Sequence, residues 1–118
     1  MVFSVDGALS ALRAFGTKMG VTAHNIANIE TEDFKKSRAV LKEGVNSDVL
    51  VEINRIDSPG SQIVTYSSDG QMTEKEMSNV EPADEVIEIM LTQRGYEANL
   101  STLKTLDEVL GSIIDIKG

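Results

Sequence analysis

The sequence predicts an α+β chain. Its long N- and C-terminal helices pair as an antiparallel-type coiled coil and carry a small β-hairpin-rich middle segment. Three observations point there. Apolar residues recur at helical spacing near both termini, over residues 5–29 and 86–114. Between them the pattern changes to period-two alternation broken by Pro and Gly. Aromatic residues make up only 4% and Trp is absent, so contacts fall to Leu, Ile, Val and Met rather than to a thick globular centre. The organisation is an N-terminal helix over residues 1–30, a short β-rich segment over 31–80, and a C-terminal helix over 81–118.

In the first helix Val5, Ala8, Leu12, Phe15, Met19, Thr22, Ile26 and Ile29 are separated alternately by three and four positions. That alternation is the a/d seam of a coiled coil. The helix is expected from about Ser4, where Ser4 or Asp6 serves as N-cap, to about Asn28. Gly7, Gly16 and Gly20 each weaken it by about 1 kcal/mol relative to Ala. The Asn-rich stretch after His24 favours a turn. Lys35, Lys36 and Arg38 follow; without glycines or aromatics they read as a solvated strand edge rather than a phosphate site.

The middle opens with a short strand at Ala39–Leu41. Val49, Val51 and Ile53 then alternate with Leu50, Glu52 and Asn54, as in a half-buried strand. Asp57–Gly60 reads as a turn in which Pro59 presets φ and Gly60 supplies a positive φ. Gln62–Tyr66 is a further strand and Ser68–Gln71 a second turn. A unit of two or three strands is marginal alone and must lean on a helix.

The last helix is expected over Ala83–Ile116, a stretch free of Pro with Gly95 and Gly111 as its interior glycines. At about 1.5 Å per residue it makes a rod of roughly 50 Å. Such a rod needs a second helix to bury its stripe. The pairing residues are Leu12, Phe15, Met19 and Ile26 on the first helix, with Val86, Ile89, Tyr96, Leu100, Leu103 and Leu110 on the last. Tyr96 is expected to bury its ring and keep its hydroxyl on a polar partner. Gln93, Asn99 and Asp107 lie on or beside the stripe, either fixing register or facing solvent at its edge.

Glu81, Asp84, Glu85 and Glu88 resemble a carboxylate metal site, but His24 is the only histidine and lies far off in sequence. An acidic first turn complementing the helix dipole explains them more simply. The residues offer no catalytic triad, phosphate loop or thiol, so the reading is a non-enzyme with no cofactor, and His24 is a turn or packing residue. Absent cysteines leave the compartment open. No run approaches the ~20 apolar residues of a membrane span, and a cleaved signal peptide is not expected. Net charge is −8, divided as +2 over residues 1–42 and −10 over 43–118. That argues against nucleic acid, which needs a basic face, and favours docking of the N-terminal helix on the C-terminal one.

Two blocks carry a resemblance. Ala23-His24-Asn25-Ile26-Ala27-Asn28-Ile29-Glu30-Thr31-Glu32-Asp33-Phe34-Lys35 resembles the N-terminal motif of bacterial flagellar axial proteins, the rod and hook family, with Asn25, Ala27, Asn28, Thr31 and Phe34 matching. Ser78-Asn79-Val80, then Gln93-Arg94-Gly95-Tyr96-Glu97-Ala98-Asn99 and Lys104–Leu110, resemble that family's C-terminal helix, with Gln93, Arg94 and Asn99 as motif positions. His24 stands where the family has Asn, Leu106 where it has Ala, and Asp33 where it has Gly, which implies a less tight turn before Phe34. The middle is shorter than in hook or distal-rod proteins, so the size is nearer the proximal rod proteins while the end motifs look like the hook and distal-rod type.

The resemblance implies terminal helices packed in the inner tube of a helical assembly, with the middle as an outer β-rich part. It implies a structural subunit or adaptor whose partners are its own copies, other axial proteins and the type III export apparatus. It also implies export without signal cleavage to the basal body, as periplasmic rod or hook. The alternative is a soluble helical binding module, an export chaperone or assembly regulator that contacts rod or hook proteins.

Overall fold

A computed structural model describes residues 5–117. Helix α1 (Val5–Ala27) and helix α2 (Pro82–Lys117) bracket two antiparallel hairpins. Strand β1 (Ser37–Glu43) pairs with β2 (Val49–Arg55), and β3 (Gln62–Tyr66) with β4 (Met72–Glu76). The class is α+β, and both helices end within a residue or two of where periodicity places them. Ser4, one of the two expected caps, lies outside the described residues.

The helices run antiparallel. Asn25 near the end of α1 bonds Glu85 in the first turn of α2, the Phe15 ring sits over Gly95, and Val5 shares a groove with Leu103, Asp107 and Leu110. A β-carbon on Gly95 would lie 2.5 Å from the Phe15 ring, so the absence of a side chain there lets α1 approach. Lys18 and Glu88 add an ion pair across the same contact at 3.4 Å. Facing α1 are small and polar residues over the first turns of α2, among them Glu85, Thr92, Gly95 and Asn99, with leucines only from Leu103 and Leu106.

At about 1.5 Å per residue α2 extends roughly 54 Å and α1 roughly 35 Å, so α2 outruns its partner. The chain measures 84 × 23 × 16 Å with a radius of gyration of 21.3 Å. A compact domain of about 100 residues has about 13 Å. This is a stalk.

The first hairpin packs on α1 through Ala39, Val49 and Val51, which are buried or half-buried, while Ile53 at the far end stays exposed. Its loop contains a 3-10 turn (Val45–Ser47) in which Asn46 and Ser47 adopt φ of 61° and 64°. β1 is longer than the three-residue strand expected. Periodicity missed β4 altogether, because Met72–Glu76 carries three charged residues. Its order comes from pairing with β3 through a turn closed at Gly70, φ 84°. Gly60 is a correction. Its φ is not positive; instead a β-carbon there would overlap the carbonyl of Met77, so glycine serves close approach of two backbone segments.

Candidate assembly surface

A buried polar joint ties the two helices to the first hairpin. The Asn25 side chain accepts a hydrogen bond from the Ser37 N–H at 3.0 Å and donates to the Ser37 carbonyl at 2.9 Å. One amide thus stands in for a neighbouring strand at the start of β1. The same Nδ2 reaches Glu85 Oε2 at 3.3 Å, and Arg38 Nη2 donates to Glu85 Oε1 at 2.6 Å. Glu85 and Asn25 are both 0% exposed. A buried carboxylate is tolerated only when paired and hydrogen-bonded. The Glu85 carboxylate raises the Arg38 pKa above its ordinary value through their hydrogen bond, so Arg38 stays charged.

Asn79 makes a second joint. Its Oδ1 accepts from the Lys36 N–H at 2.7 Å, and its Nδ2 donates to the carbonyls of Ile56 at 2.8 Å and Ser58 at 2.9 Å. Lys35 donates to the Ser58 carbonyl and pairs with Glu76. Asn28 Nδ2 closes the end of α1 on the His24 carbonyl, and Thr31 donates to Asn28 Oδ1. His24 packs edge-on against Phe34 at 5.5 Å. Asp33 itself adopts φ 58°, and the Phe34 N–H bonds the Thr31 carbonyl, so the turn closes despite the missing glycine.

Two sequence expectations are corrected here. Arg38 does not lie on a solvated edge, and Glu85 is more than an acidic first-turn residue: each is the other's partner. Glu88 likewise pairs with Lys18, leaving Glu81 and Asp84 as exposed first-turn acids. Among the described residues no group of His, Asp and Glu is arranged to hold a metal ion, and no helix is long and apolar enough to cross a membrane. Arg38, Asn79 and Glu85 were missed as site residues. Their one signal was Asn79 within the Ser78-Asn79-Val80 block.

The expected pairing residues fall into two groups. Leu12, Phe15, Met19, Ile89 and Leu103 are half-buried. Ile26, Val86, Tyr96, Leu100 and Leu110 are exposed. Tyr96, expected to bury its ring, is 42% exposed because it lies off the row that meets α1. Of the motif positions, Ala27, Gln93 and Arg94 face solvent, Gln93 donating to Glu97, whereas Asn99 donates to the Gly95 carbonyl. Beyond Leu110 nothing among the described residues covers α2, and Ile113, Ile114 and Ile116 rise to 53%, 69% and 86% exposure.

The chain is an elongated helical stalk with a polar joint at one end and an uncovered apolar helix at the other. Residues 71–116 match the family described as flagellar basal body rod FlgEFG protein C-terminal. The chain is 28% identical over 131 residues to the flagellar basal-body rod protein FlgC of Buchnera aphidicola subsp. Acyrthosiphon pisum, an alignment covering 98% of this chain and 95% of that protein. It is 40% identical over 42 residues to the flagellar basal-body rod protein FlgG of Bacillus subtilis, covering 36% of this chain and spanning 16% of that protein's length. The chain is thus similar to flagellar basal-body rod proteins, in residues 71–116 by family and along nearly its whole length by relative.

Proposed function

We propose that this chain is a structural subunit of the bacterial flagellar rod–hook axis. It assembles with its own copies and with other axial proteins through its terminal helices, paired as a coiled coil. The residues assigned to that packing are Leu12, Phe15, Met19, Ile26, Val86, Ile89, Tyr96, Leu100, Leu103 and Leu110. Its place is the basal body, in the periplasmic rod or hook, reached through the type III export apparatus without signal cleavage. No enzymatic step and no cofactor enter this role.

One observation carries the reading: the apolar surface that α1 leaves uncovered on α2. Val86, Met90, Leu100, Leu110, Ile113 and Ile114 are all about half exposed or more. Fully burying one such side chain is worth about 1.5–3 kcal/mol, and apolar surface of this extent marks an interaction site. Head-to-tail contacts that do not close a ring turn such a surface into a filament.

Sedimentation over a range of concentrations, with hydrogen exchange on residues 5–30, tests it. Growth of assemblies with concentration, accompanied by rising protection of those residues, is expected. A chain fully protected when dilute that never assembles, yet binds one rod or hook protein stoichiometrically, would instead establish the binding-module alternative.

A further inference from the structure

The two hairpins differ in how their outer edges are closed. In an antiparallel pair alternate residues turn their N–H and C=O away from the partner strand. In the second hairpin the bonds from Met77 N–H to Ser61 O and from Ser67 N–H to Gln71 O set the phase. Ile63 and Thr65 therefore bond β4, and Gln62, Val64 and Tyr66 turn outward. In the first hairpin Ile56 N–H to Lys36 O and Gly44 N–H to Asp48 O do the same. Ser37 there turns outward on β1, and Val49, Val51, Ile53 and Arg55 on β2.

The chain closes some of these edges itself. Asn25 caps β1 at Ser37, beside the buried Ala39. The Asp33 N–H caps β4 at the Glu76 carbonyl, and the next outward residue on that strand, Glu74, is charged. Ser10 Oγ accepts the Val49 N–H, which leaves β2 open from Val51 to Arg55. Among the described residues no cap meets β3. Gln62–Tyr66 carries no charge and no Pro, the features by which an edge ordinarily resists pairing. Val64, Tyr66 and the facing Met72 leave exposed apolar surface on one side of it.

We propose that the free edge of β3 pairs with the free edge of β2 on a second copy, making one four-stranded sheet across the contact. The occupant is a second copy because this chain itself carries both open edges, three outward residues on each, on different hairpins. Joining unlike edges is a head-to-tail contact, the kind that builds a filament wherever its rotation does not close a ring. A two-stranded hairpin is marginal in water, and four strands are not. The inference rests on the self-assembly reading above and adds a second contact to its helices.

Hydrogen exchange on the assembled full-length protein tests it directly. The outward amides of Val51, Ile53, Val64 and Tyr66 are expected to gain about 100-fold protection on assembly. V64P removes an outward donor without breaking a β3–β4 bond, and is expected to raise the concentration needed for assembly about tenfold. E74P, on the other edge of the same hairpin, is expected to leave it unchanged. Assemblies whose outward amides exchange as fast as in the monomer overturn the strand pairing while the helix reading stands. Equal impairment by V64P and E74P also overturns it. A wild-type chain that stays monomeric at every concentration overturns the assembly reading itself.

Discussion

Arg38 and Glu85 meet at 2.6 Å across 47 residues of sequence, and the carboxylate of the pair is sealed from solvent. Breaking such a pair leaves a charge buried without compensation, whereas replacing both partners removes the need for one. Arg38→Met is therefore expected to cost about 3 kcal/mol, the low end for a buried pair because Arg38 is partly exposed. Adding Glu85→Met should restore most of that loss. Urea unfolding of the single and double variants checks this; a double variant no more stable than Arg38→Met would mean that Asn25 and Ser37 alone hold the joint.

Two glycines should respond in opposite directions. Gly60→Ala drives a methyl into the Met77 backbone and is expected to destabilise by about 1–3 kcal/mol. Gly16→Ala meets nothing within 4 Å and should stabilise α1 by about 1 kcal/mol. Thermal melting of both variants reads the difference in sign.

Asp33 holds a left-handed φ of 58°, which costs a non-glycine residue about 1 kcal/mol. Asp33→Gly is expected to return roughly that amount as a higher melting temperature. An unchanged or lower value would show that Asp33 stabilises the turn through its side chain.

Acid should loosen the second hairpin. Lys35, and then the Gly60 N–H, hold the Glu76 carboxylate below its ordinary value of 4.5. A depressed folded-state pKa contributes stability that is present above 4.5 and is lost as pH falls through the folded value. Glu76→Gln should flatten the pH dependence of unfolding in that window, and a profile identical to wild type would rule the pair out as its source.

Leu103 and Ile113 separate folding from assembly. Leu103→Asp places an unpaired charge in the half-buried helix contact and is expected to abolish assembly and also weaken the monomer. Ile113 is 53% exposed, so Ile113→Asp should leave monomer unfolding unchanged while blocking assembly. Sedimentation and urea curves on the two variants distinguish them; normal assembly by Ile113→Asp would place the interface elsewhere.

Much of the architecture was legible because it rests on local periodicity. The helices announce themselves by three- and four-residue spacing, and Gln62–Tyr66 by β-branched composition. The polar joint was not legible. Asn25, Arg38, Asn79 and Glu85 each have an ordinary local explanation as turn, edge or first-turn residue, and only the folded chain brings them together. β4 was hidden for a related reason: its order is conferred by β3 rather than by its own side chains. The row on α2 that meets α1 begins with Glu85 and Thr92, residues that a search for apolar stripes passes over.

The helix contact also sets an order of events. Asn25 and Glu85 are 60 residues apart, while each hairpin joins neighbours. Local strand turns form in about 1–10 μs, and a long loop closes only after its entropy is offset. Docking of α1 on α2, which closes that long loop, is therefore expected to follow formation of the hairpins when the chain refolds.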